Sequence, residues 1–98
     1  MDKEPVIESN GNVFADLGFS PEEAALLAMR AELMTRLRET INERGWTQQE
    51  ASKMLGIGQS RVSDLVRGRW DKFSLDMLVT LVTRTGKHVE LAVISIES

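Results

Sequence analysis

Ninety-eight residues, 42% hydrophobic and 28% charged, make one small globular domain with room for a single modest core. There is no cysteine, which excludes a disulfide framework and a cysteine-ligated zinc site, and no apolar run approaches the roughly 20 residues that span a bilayer. The net charge of −3 hides a split: residues 1–30 hold Asp2, Glu4, Glu8, Asp16, Glu22 and Glu23 against Lys3 and Arg30, whereas residues 44–72 hold Arg44, Lys53, Arg61, Arg67, Arg69 and Lys72 against Glu50, Asp64 and Asp71. A basic middle fits either a phosphate-tracking patch or a solvated face.

The opening MDKEPVIESN is acidic and polar, unlike a secretory signal, so a cytoplasmic location is expected. Pro5, Asn10, Gly11 and Gly18 mark residues 1–20 as an extended arm with a turn at Asn10 and Gly11. Val6-Ile7 and Val13-Phe14 are two apolar pairs that could dock on something. Ser20, Pro21 and Glu23 form a helix start: a capping hydroxyl, a proline in the first turn and an acid three residues on.

A first helix is predicted from Pro21 to about Arg44, with Leu26, Leu27, Leu33, Met34, Leu37 and Ile41 in one stripe. Arg30 falls inside that stripe, so it snorkels, or the helix bends, or this half meets a partner. Ala24, Ala28 and Ala31 lie opposite, where they permit close approach or simply favour helix. Gly45 ends the helix. Thr47 and Glu50 make a capping box for a short second helix that stops at Gly56. A third helix follows Gly58, running from Gln59 to Arg67, and Gly68 closes it. Ser74 caps a fourth, with Leu75, Leu78, Val79 and Val82 inward, which Gly86 ends. The period then changes: Val89, Leu91 and Val93 alternate with Glu90 and Ala92 before Ile94 and Ile96, the pattern of a strand.

The predicted fold is therefore mainly α, a compact helical bundle with a helix-turn-helix, plus a C-terminal β-strand. Its parts are an arm over 1–20, a DNA-binding domain over 21–86 and a dimerisation strand over 87–98. A lone strand leaves donors and acceptors unpaired, so Val89, Leu91, Val93 and Ile94 are expected to pair with their copies in an antiparallel homodimer. The other possibility is that Val6-Ile7 folds back as the partner strand and leaves a monomer.

The informative stretch is WTQQEASKMLGIGQSRVSDLVRGR, residues 46–69, which reads as helix, tight turn, helix. Ala51, Leu55, Ile57, Val62 and Leu65 supply the apolar contact, and small Ser52 lets the helices approach. The outer side of the later helix is Gln59, Ser60, Arg61, Ser63, Asp64 and Arg67. Hydrogen-bonding residues packed at a helix start suit base edges in a major groove: Gln pairs with adenine and Arg with guanine through two bonds each. Gln59 and Ser60 are candidates for base contact, Arg61 for a base or adjacent phosphate, and Gln48, Arg67 and Arg69 for phosphates.

Gln48, Gly56, Gln59, Val62 and Leu65 stand at a spacing that resembles the Cro and lambda-repressor (XRE) family of helix-turn-helix proteins over about residues 30–85. Ser52 departs from the family's usual alanine, and Asp64 puts an acid at a possible base-reading position, where it either makes no direct contact or accepts from cytosine. NVFADLGFSPEEA, RAELMTRLRETI, WTQQEAS, GRWDKFSLDML and GKHVELAVIS together resemble the narrower group of HigA-type antitoxins. That resemblance implies a dimeric repressor on a palindromic operator that also silences a small basic RelE-like (HigB-type) ribonuclease toxin. The acidic arm, through Val6, Ile7, Val13, Phe14 and Leu17, is the expected toxin contact.

No cofactor, metal or enzymatic chemistry is expected. His88 is the sole histidine, and Gly56-Ile57-Gly58 lacks the lysine of a phosphate loop. A stand-alone XRE-type regulator and an adaptor without DNA contact are the alternatives. Gln59, Arg61 and Arg67 speak against the adaptor, and the acidic arm speaks for the antitoxin.

Overall fold

The computed structural model describes residues 11–95, and its regular elements are all helical: α1 (Gly11–Asp16), α2 (Pro21–Arg44), α3 (Gln48–Leu55), α4 (Gln59–Val66), a 3-10 turn (Trp70–Lys72) and α5 (Leu75–Arg84). Most helix ends fall where the local chemistry put them. Ser20 and Thr47 cap α2 and α3, each accepting from the backbone N–H of the glutamate three residues on, while Glu23 and Glu50 accept from the cap N–H in return. Ser74 accepts from the Met77 N–H at the start of α5.

Two sequence expectations require correction. The arm over 1–20 was expected to be extended, but residues 11–16 form α1. The reason is tertiary. Phe14 meets Phe19 edge-on at 6.2 Å and Trp70 at 6.4 Å between ring centroids, and this apolar anchor outweighs the weak helix signal of GNVFAD. Asn10, and with it half of the expected turn, lies outside the described residues. The second correction is the C-terminal strand. Residues 87–95 carry no ladder, and no strand occurs among the described residues. The physical reason is that a strand exists only against a partner, and none of the described segments offers one. Leu91, Val93 and Ile94 stand exposed, Val93 at 91%.

The buried face of α2 turns along its length. Its C-terminal half buries Met34, Leu37 and Ile41, as its stripe predicts. Its N-terminal half buries Ala24, Leu27 and Ala28, whereas Leu26 is 46% exposed. This half lies under α1, and the alanines permit that approach. The main core joins Met34, Leu37 and Ile41 to Ala51 and Leu55 of α3, Val62 and Leu65 of α4, Phe73, and Leu78, Leu81 and Val82 of α5. Lys87 ties the chain leaving α5 back to α2, donating to Thr40 Oγ1 at 3.0 Å and standing 3.6 Å from the Glu43 carboxylate.

Candidate nucleic-acid interface

α3 and α4 meet through residues that leave no gap: Ala51, Leu55, Val62 and Leu65 are each fully buried. The turn between them demands a left-handed residue, and Gly56 supplies it at φ +72°. Two side chains fix this turn, and neither was legible as a partner in the sequence. Ser52 Oγ donates to the Ile57 carbonyl, which gives the hydroxyl at this small-residue position a task. Arg84, from the end of α5, donates from Nη1 to the Leu55 carbonyl at 2.7 Å and satisfies an acceptor that the end of α3 leaves open. The helix-turn-helix is thus sutured from inside and from the last helix.

On this frame the predicted residues separate into sides. Successive side chains on α4 are offset by about 100°. Gln59, Ser60, Ser63, Asp64 and Arg67 share one arc, while Val62 and Leu65 point to the core. Gln59 and Ser60 are exposed in the first turn, Ser63 and Asp64 are half-buried, and Arg67 is exposed at the C-cap. Gln48 is exposed as the first residue of α3. Arg69 is exposed in the connection after α4, where its backbone N–H donates to the Asp64 carbonyl at 3.0 Å.

Arg61 sits apart from that arc. Its guanidinium lies 4.7 Å over the ring of buried Phe73, and Nη2 donates to the Lys72 carbonyl at 3.1 Å. The sequence grouped it with the outer residues because its partners lie in a loop that periodicity does not place.

The start of α4 differs from those of α2, α3 and α5. Its N-cap is Gly58 and no side chain accepts from its first-turn N–H groups. These donors, the positive end of the helix dipole and the adjacent Gln59 and Ser60 form a surface suited to an anionic, hydrogen-bonding ligand.

Of the residues expected to meet a toxin, Val6 and Ile7 lie outside the described residues, and Val13 belongs to α1. Phe14 is half-buried in its aromatic contacts, whereas Leu17 is 70% exposed. No helix among the described residues is long and apolar enough to cross a membrane, and they contain no group of three or more His, Asp or Glu placed to hold a metal.

A search of curated proteins found no match. A family model described as a helix-turn-helix domain matches residues 13–94, from α1 through the segment after α5. That span contains the sutured α3–α4 unit and every helix of the core, so the chain belongs to this helix-turn-helix domain family.

Proposed function

We propose that the chain is a sequence-specific transcriptional repressor that binds a palindromic operator as a homodimer, and that it is the antitoxin of a pair whose other member is a small basic RelE-like ribonuclease. The observation that carries the DNA reading is the first turn of α4: exposed Gln59 and Ser60 beside uncapped backbone N–H groups, on a helix whose other side is locked into the core. In this reading Gln59 and Ser60 touch base edges, Ser63 and Asp64 face the groove behind them, and Gln48, Arg67 and Arg69 hold phosphates.

Selection from a random duplex pool, followed by band-shift titration at several salt concentrations, tests it. A palindromic site is expected. Gln59→Ala should lose roughly 1–3 kcal/mol at one base position and relax the choice there. Arg69→Ala should weaken every sequence alike and reduce the salt slope by about one. If Gln59→Ala ranked all operator variants as the parent does, the base contact would be assigned to the wrong residue.

Dimerisation is supported by the apolar C-terminal segment, which leaves Leu91, Val93 and Ile94 uncovered in a single copy. Val89, Leu91, Val93 and Ile94 would then form a strand only on meeting a second chain.

The toxin reading is supported by exposed Leu17, which follows exposed Asp16 at the end of α1, and by exposed Glu22 and Glu23 at the start of α2, an apolar point in an acidic stretch that suits a basic RNA-binding surface. Because α1 packs into the fold, the test spares it. Leu17→Asp, alone and with residues 1–10 removed, should lose co-purification with the basic ribonuclease while keeping operator binding. Undiminished capture by both variants favours a stand-alone regulator or a different contact.

A further inference from the structure

The third residue of α4 belongs to the helix-turn-helix but not to its outer arc. Arg61 reaches across to the connection between α4 and α5. Its guanidinium stacks on Phe73, which is 3% exposed, and bonds the carbonyl of Lys72. Its Nε is buried and finds no partner among the described residues, so the group is drawn into the fold rather than extended into solvent. An arginine fork is suited to this double task, because the flat cation can lie on a ring while an edge N–H bonds a carbonyl. What it holds is a short basic segment. Arg69 and Lys72 are both exposed there and flank Trp70 and Asp71. The segment is held besides by Phe73 in the core, by Trp70 edge-on to Phe14, by the Arg69 N–H to the Asp64 carbonyl at 3.0 Å, and by local backbone bonds from Lys72 N–H to the Arg69 carbonyl at 3.0 Å and from Phe73 N–H to the Trp70 carbonyl at 3.3 Å; Arg61 is the side chain of α4 that bonds its far end, at Lys72.

We propose that Arg61 is a positioning residue, clasping the 67–73 connection to α4 so that Arg69 and Lys72 are presented together to the DNA backbone, and that it does not itself read a base. The proposal rests on the DNA-binding reading above and adds Lys72 to the phosphate contacts. Arg61 acts through geometry. A flexible loop would have to be ordered on each binding event, whereas a clasped one meets the duplex already arranged.

The experiment is a double-mutant cycle on the full chain, with Arg61→Met chosen because it keeps an apolar stem over Phe73. A cooperative thermal melt establishes that the variant is folded. Arg61→Met is expected to weaken binding about tenfold, the scale of one charge-assisted hydrogen bond, by the same factor for every operator variant. In the background Arg69→Ala/Lys72→Ala, the same change is expected to alter affinity by less than about twofold, because nothing remains to be positioned. In the free protein, amide exchange at Phe73 should quicken several-fold in Arg61→Met, a readout that needs no DNA. A full tenfold loss in the double-alanine background, or an altered preference at a single base position, would make Arg61 a direct contact and overturn the proposal. Unchanged exchange at Phe73 would overturn the clasp while leaving DNA binding standing. A parent chain that selected no duplex at all would instead remove the function on which the proposal rests.

Discussion

Leu65→Ala is expected to destabilise the fold by about 3 kcal/mol and to lower Tm by roughly 15 °C, as followed by denaturant titration and a thermal melt. Leu65 is fully buried on the inner side of α4, in the cluster that joins α4 to α2, α3 and α5. Truncation removes apolar burial and leaves a void that four converging elements cannot all close. Against a total of about 5–15 kcal/mol for a domain of this kind, the loss is a large fraction. Ser60→Ala, on the exposed arc of the same helix, should change stability by less than about 0.5 kcal/mol. Equal effects at the two positions would show that α4 is not oriented by the core as described.

The second large effect concerns assembly. Val93→Pro is expected to convert a dimer into a monomer in sedimentation and to weaken operator binding by at least about a hundredfold. In the proposed dimer, proline would remove a ladder donor from the middle of the pairing segment. Once dimerisation fails, two recognition helices no longer bind as one unit, and the avidity from linking two sites, of order a hundredfold or more, is lost. The variant should melt like the parent when the parent is studied dilute, because Val93 is 91% exposed and contributes nothing to the core of a single copy. A variant that stayed dimeric at unchanged operator affinity would place the seam elsewhere.

The contrast between these positions tracks what a sequence can reveal. The ends of α2, α3 and α5 were legible because a cap and its partner lie within one helical turn, as Ser20 with Glu23 and Thr47 with Glu50 do. The face of α4 was legible in the same way, since Gln59, Ser63 and Arg67 return at helical spacing. The features that escaped depend on distant groups. α1 needs Trp70 beneath Phe14, the alanine face of α2 needs α1, and the turn after α3 needs Arg84 from the end of α5. Arg61 shows the limit within the site itself. Its residue type fits a base contact, and only the position of Phe73 and the Lys72 carbonyl turns it inward. The C-terminal segment marks the opposite limit: its alternation is plain in the sequence, but the described residues provide no edge on which to express it.

The bare start of α4 has a consequence for how errors are rejected. Ser20, Thr47 and Ser74 settle first-turn donors of their helices within the chain, before any ligand arrives. Gly58 has no side chain to do the same for α4; its carbonyl accepts from the Arg61 N–H at 3.0 Å, which leaves the Gln59 and Ser60 N–H groups free for a ligand. In the proposed complex, with the duplex in proper register, phosphate oxygens would meet those donors. One step out of register, water would still be squeezed out but the oxygens would be misplaced, and each stranded donor would cost about 1–3 kcal/mol. On the proposed DNA reading, part of the discrimination between binding frames would therefore be borne by the main chain. Exchanging the side chains at Gln59 and Ser60 would retune which bases are preferred and leave that frame-keeping intact; only proline, which deletes the donor itself, would abolish it.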